Sequence, residues 1–114
     1  MKKPPIPQHI YEDLFCINFY ISYGVSPEVY KSQVKYQFGA SVDDLHFAGG
    51  KTNVFEKGDS KIYWIWTRKK DRTILVHELV HVINVALVDR GIKLSLDTDE
   101  IQAYLMAYLY KRIK

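Results

Sequence analysis

The residues with the clearest chemical potential are two histidines four positions apart with a glutamate directly after the first, His77-Glu78-Leu79-Val80-His81. On an α-helix, positions i and i+4 lie about 40° apart around the axis and about 6 Å apart along it, so both imidazoles can converge on one ion. Zinc accepts imidazole nitrogens, and a catalytic zinc site keeps one position for water. Glu78 lies about 100° around the helix from His77, where it could act as general base on that water without binding the metal.

The sequence around this motif is otherwise apolar. Between residues 74 and 88 the polar side chains are His77, Glu78, His81 and Asn84, and all of them fall in one sector of a helical projection. We expect this helix to be largely buried, and burying an unpaired carboxylate costs on the order of several kcal/mol. A metal ion and its water would satisfy these groups together. The alternative is a cluster of polar side chains that hydrogen-bond to one another without a metal.

A third metal ligand has to come from outside the motif. Glu100 lies in the first turn of the next predicted helix, and a chain reversal after Gly91 could return that turn to the level of the two histidines. Tyr104 shares a face with Glu100, so it would flank the metal, where its hydroxyl could contact a tetrahedral intermediate. We therefore predict Glu100 as the third ligand and Tyr104 as a second catalytic residue beside Glu78.

Other residues compete for these assignments. Asp97 and Glu100 have the D-x-x-E spacing of a helix-capping box, which would use the glutamate for the backbone instead. Asp99 and His46 are the alternative third ligands. Cys16 is the single cysteine of the chain, which excludes an intramolecular disulfide and a cysteine-based zinc cluster.

The elements that must position these residues follow from periodicity and turn signals. We predict an extended arm over residues 1–10, a strand over 13–23, a helix that follows Ser26 and ends at Gly39, two strands over 52–56 and 61–67 joined by a hairpin, and two helices over 72–90 and 98–112. In the strand over 61–67, Trp64 and Trp66 share one face, whereas Tyr63 and Ile65 share the other.

Length and composition describe one globular domain over residues 1–114. The chain is 47% hydrophobic and 25% charged, with a net charge of +3. That charge is too small to indicate a nucleic-acid partner, and the basic run over residues 68–72 is interpreted as a solvated turn. The sequence contains neither a signal peptide nor an apolar run long enough for a membrane span, so we predict a cytoplasmic protein without a membrane partner. Its oligomeric state is left open.

The motif at residues 77–81, followed by Asp97-Thr-Asp-Glu100-Ile-Gln-Ala-Tyr104, resembles the gluzincin metallopeptidases, and in size the chain resembles minimal gluzincins and the small zincin-like proteins of phage genomes. The resemblance covers residues 60–110. It implies Zn²⁺ as cofactor, with His77, His81 and Glu100 as ligands and Glu78 as the base. It also implies that an edge strand before the metal helix binds extended substrate, a place that residues 61–67 occupy here. The chain departs from the thermolysin pattern at Tyr104, where an aspartate would stand.

Taken together, these observations predict an α+β, zincin-like domain with a small, mostly antiparallel sheet, an H-E-x-x-H helix and a following C-terminal helix with the third ligand. The predicted function is that of a zinc-dependent metallopeptidase that hydrolyses a peptide or protein substrate. The alternative is a non-catalytic zinc-binding accessory or interaction protein of the kind that phages or mobile elements encode.

Overall fold

The computed structural model describes residues 3–46 and 48–114, and it has an α+β fold built on one mixed four-stranded sheet. The elements in chain order are β1 (Gln8–Glu12), β2 (Ile17–Tyr23), α1 (Pro27–Phe38), β3 (Gly50–Lys57), β4 (Ser60–Thr67), α2 (Arg72–Asp89), a short 3-10 turn (Leu96–Thr98) and α3 (Asp99–Arg112). The strand order is β1-β2-β4-β3. The β2–β4 pair is parallel, whereas β1–β2 and β3–β4 are antiparallel.

The central strand β4 is buried on both faces, as the alternation of its side chains predicts. Tyr63 and Ile65 pack in the larger core beneath α2 and α3, together with buried residues such as Leu79 and Leu105. On the other face Trp64 and Trp66 form a second core with Tyr30 and Val34 of α1 and with Leu45. Each indole N–H has an acceptor, the Ser22 hydroxyl at 2.8 Å and the Val25 carbonyl at 2.8 Å. The tryptophans therefore belong to this second core.

The helix limits follow local signals that the sequence carries. The Ser26 hydroxyl accepts the Val29 N–H at the start of α1, and Gly39 ends this helix in the left-handed region with a φ of 65°. Asp71 caps the start of α2 in the same way. The alternative role of Asp97 and Glu100 as a capping box is wrong, because Ser95 and Thr98 form the box at this point, with the Ser95 N–H donating to the Thr98 hydroxyl at 3.0 Å.

The N-terminal region differs from the predicted arm and single strand. Residues 8–12 form β1, and the chain turns before β2 begins. The buried Glu12 carboxylate holds this turn by accepting the N–H groups of Leu14 at 2.6 Å and Phe15 at 3.0 Å. Cys16 lies in the same turn, exposed and with a φ of 57°. The turn contains apolar side chains like those of the strands, so the sequence pattern does not indicate where β1 ends and β2 begins.

The C-terminal end of α2 is tied to the central strand. Asp89 accepts a hydrogen bond from the Tyr63 hydroxyl at 2.9 Å and pairs with the Lys61 ammonium at 3.1 Å. Burial acts to raise the pKa of Asp89, but the bonds from Tyr63 and Lys61 outweigh it and lower the pKa below the usual value. Among the helices in the described part of the chain, none combines the length and hydrophobicity needed to cross a bilayer.

Candidate active-site groove

His77 and His81 lie on adjacent turns of α2 and face solvent. Their Nε2 atoms are 3.2 Å apart, and the rings meet edge to face with an interplanar angle of 78°. Two nitrogens bound at about 2.05 Å to one tetrahedral zinc ion are about 3.3 Å apart. The separation of the two nitrogens therefore fits a shared zinc ion. It also fits a hydrogen bond from one neutral imidazole to the other, so the pair can exist with or without metal.

Glu78 points away from solvent and toward β3. Its side chain is 6% exposed, and its Oε1 accepts a hydrogen bond from the Thr52 hydroxyl at 2.9 Å. The second carboxylate oxygen, Oε2, lies above Gly50, where a Cβ atom would come within 3.0 Å of Oε2 and of the Glu78 Cγ. β3 can approach this close because residue 50 has no side chain. Thr52 and Gly50 thus hold the carboxylate from the strand side.

The carboxylate and both imidazoles line one groove between α2 and β3. The groove is bounded by Lys51, Thr52 and Val54 on the strand and by Val85 on the helix. A shallow extension past Gly49 and Gly50 reaches Thr73 and Ile74 near the start of α2. Because β3 is the last strand in the sheet order, this groove runs along a sheet edge.

The edge strand beside the helix is β3, and the assignment of that place to residues 61–67 is wrong. Those residues form β4, which pairs with β2 on one side and β3 on the other. The chain passes from β2 through α1 and β3 before it enters β4, and β4 then pairs parallel to β2. β3, which is paired with the other side of β4, therefore forms the edge of the sheet. A strand that is apolar on both faces, as β4 is, indicates an interior position. The sequence did not lead us to assign Thr52 or Gly50 to the site, although a glycine at the start of a half-polar strand indicates a close approach.

The expectation that α2 is largely buried is also wrong. One side of the helix packs on the sheet, but Val76, Val80, Val85 and Val88 are exposed on the side of the histidines. His77 and His81 face solvent, and the buried Glu78 already has a hydrogen-bond partner in Thr52. Burial alone consequently does not require a metal here. The case for metal depends on the geometry of the two imidazoles.

Glu100 is exposed in the first turn of α3, and the structure does not bring it to the histidines. The register of the antiparallel helices is set by Gln102, whose side-chain amide donates to Asn84 Oδ1 at 2.8 Å, and by Arg72 beside the Ile113 carbonyl. Asn84 lies three residues after His81, and Glu100 lies two residues before Gln102. Because the helices are antiparallel, these separations add to five residues, which at 1.5 Å per residue is an axial offset of about 7.5 Å between Glu100 and His81. The offset arises because α2 continues to Asp89 before the chain reverses.

Tyr104 lies at the opposite edge of the sheet from the groove. Its hydroxyl donates to Glu12 Oε1 at 3.0 Å, next to β1, and burial together with this bond raises the pKa of Tyr104. Tyr104 is therefore not brought together with Glu78. Asp99 is exposed at the start of α3, and His46 is anchored in its loop, where its carbonyl accepts a hydrogen bond from Arg68 at 3.0 Å.

Across residues 3–46 and 48–114, no group of three or more histidine, cysteine, aspartate or glutamate side chains is arranged to hold a metal ion. The groove thus contains two candidate ligands and one candidate base. Comparisons with protein-family models, with curated proteins and with solved structures gave no match to the chain. A functional assignment therefore depends on the chemistry of the groove itself.

Proposed function

We propose that the chain is a zinc-dependent metallopeptidase of the zincin type, with His77 and His81 as protein ligands and Glu78 as general base. The observation that supports this most strongly is the 3.2 Å separation of the two Nε2 atoms beside a buried carboxylate that lines the same groove. The two imidazoles would be two of the three protein ligands that a catalytic zinc site typically has, and the carboxylate would be its general base. The other coordination positions are open to water and substrate.

Glu78 is suited to move a proton in this groove. Thr52 donates to Oε1, which stabilises the charged carboxylate and fixes its orientation. Oε2, above Gly50, can then accept a proton from the attacking water and deliver it to the leaving amine. Zinc bound at the imidazoles would polarise the scissile carbonyl and acidify the water.

The edge strand β3 is suited to bind the substrate backbone. An extended peptide that adds to β3 would form main-chain hydrogen bonds and lie across the groove beside the histidines. The groove offers Val54 and Val85 as apolar contacts and Lys51 as a charged one. We therefore propose an extended peptide or an unfolded protein segment as substrate.

A second candidate function is a zinc-binding interaction protein without catalysis. It is favoured by the number of ligands, because the described residues bring two protein ligands together, whereas catalytic zinc sites typically have three. The two candidates differ in their need for Glu78. A binding protein needs the imidazoles alone, but a peptidase also needs the carboxylate.

The test is digestion of a peptide library by the zinc-loaded chain and by Glu78→Gln, with Glu28→Gln as the matched control. Glu28 is an exposed glutamate in the first turn of α1. We expect Glu78→Gln to keep its zinc and its fold but to lose about 100-fold or more in cleavage rate, while Glu28→Gln cleaves normally. Cleavage that survives undiminished in Glu78→Gln would overturn the mechanism. An inactive wild-type chain with bound zinc would favour the interaction protein.

A further inference from the structure

We propose that a second copy of this chain completes the zinc site, so that one zinc ion on a twofold axis joins the His77 and His81 pairs of two α2 helices. This inference rests on the proposed function, because it requires zinc at these histidines. It adds a partner and a regulatory state. The partner is the chain itself, and the bridged form is its resting state.

The first argument is the half-complete ligand set. The two Nε2 atoms, 3.2 Å apart and exposed, present one edge of a tetrahedron to solvent, and no third His, Cys, Asp or Glu joins them within the described residues. A twofold axis through the ion supplies the same edge from another chain. Four imidazoles then fill a closed tetrahedral site.

The second argument is the surface around the histidines. The exposed side of α2 carries four valines, with exposed fractions of 37% for Val76, 44% for Val80, 38% for Val85 and 58% for Val88. Between Thr73 and Val88 this side has no charged residue, although 25% of the whole chain is charged. In a twofold interface a surface meets its own copy, so charges near the axis would face like charges. An uncharged, apolar surface avoids that repulsion and gains from burial.

A peptide in the groove would cover Val85 but not Val76 or Val80. Glu78 and Thr52 lie on the strand side of the histidines, whereas Val76 and Val80 lie about 160° around the helix from Glu78. Val76 and Val80 flank the histidines on the side away from β3, whereas Val85 lines the groove. A second α2 helix laid across the histidines can contact Val76 and Val80, and an extended substrate paired with β3 cannot.

The bridged form has a chemical consequence for the proposed hydrolysis. The partner's imidazoles would occupy the coordination positions that water and substrate need. The zinc-bridged dimer is therefore inactive, and the monomer with one zinc ion is the active species. Cleavage rate per chain should fall as the chain concentration rises through the dissociation constant of the dimer.

The experiment measures molecular mass by sedimentation velocity and zinc content by elemental analysis, at chain concentrations from low to high micromolar. The intact chain should be a monomer with a chelator and a dimer with one zinc per two chains when zinc is limiting. Val80→Asp places a charge on the exposed face without touching a ligand, so it should weaken the dimer at least tenfold yet keep one zinc per chain. Ile6→Asp, at a site 72% exposed outside α2, should behave as wild type.

The results separate this inference from the proposed zinc site. A wild-type chain that binds one zinc per chain and stays monomeric at every concentration overturns the dimer and leaves the zinc site standing. A dimer that persists in chelator or in His77→Ala overturns bridging by zinc. Absence of bound zinc from both wild type and Val80→Asp overturns both proposals.

Discussion

The hydrogen bond from Thr52 to Glu78 can be tested by replacing Thr52 with valine, which keeps the shape of the side chain and removes the hydroxyl. The bond is 2.9 Å long, and Glu78 is 6% exposed, so water can replace the lost donor only in part. A hydrogen bond to a charged group contributes about 1.5–3 kcal/mol. In a domain of this size 1 kcal/mol shifts the melting temperature by roughly 4 °C. We therefore expect Thr52→Val to lower the melting temperature by roughly 6–12 °C near neutral pH.

The assay is thermal and urea unfolding of wild type, Thr52→Val and Thr52→Ser near pH 7. Serine keeps the donor, so Thr52→Ser should recover most of the lost stability. A valine variant as stable as wild type, or a serine variant as unstable as the valine variant, would refute the reasoning.

Three further predictions concern positions near the groove and at the two ends of the core. Gly50→Ala should destabilise by about 1–3 kcal/mol in urea unfolding because its Cβ would lie 3.0 Å from Glu78, whereas Gly49→Ala, with nothing within 4 Å, should not. Tyr104→Phe removes one donor to the buried Glu12 carboxylate, and we expect a loss of about 1–2 kcal/mol with zinc binding unchanged. Because the pKa of Asp89 is lowered in the folded chain, Asp89 contributes stability above about pH 4, and this stability is lost as the pH falls through that pKa. We expect Asp89→Asn to remove this contribution, which is less than about 1 kcal/mol, when unfolding is measured over a series of acid pH values.

The parts of the fold that could be predicted from sequence are those governed by local signals. The cap at Ser26, the left-handed Gly39 and the β3–β4 hairpin each depend on residues a few positions apart. The alternation along β4 likewise predicted a strand that is apolar on both faces, because successive side chains point to opposite faces, and in the structure each face packs in its own core. The close pairing of His77 and His81 follows from the helix period in the same way.

The parts that could not be predicted depend on contacts between distant segments. Whether β3 or β4 forms the sheet edge is decided by the parallel pairing of β4 with β2, which local periodicity does not report. The level of Glu100 relative to His81 is decided by how far α2 continues and by the contact of Gln102 with Asn84. The exposure of the α2 valines is likewise a tertiary property, since a helix that is apolar on most sides resembles a buried one in sequence.

The central claim is that His77 and His81 together bind zinc, and calorimetric titration of the metal-free chain with zinc at low chain concentration tests it most directly. We predict one zinc per chain for wild type and at least about tenfold weaker binding for His77→Ala and His81→Ala. His9→Ala, an exposed histidine on β1, should bind zinc as wild type does. Equal zinc affinity in wild type and both motif variants, or no zinc binding at all, would contradict the account.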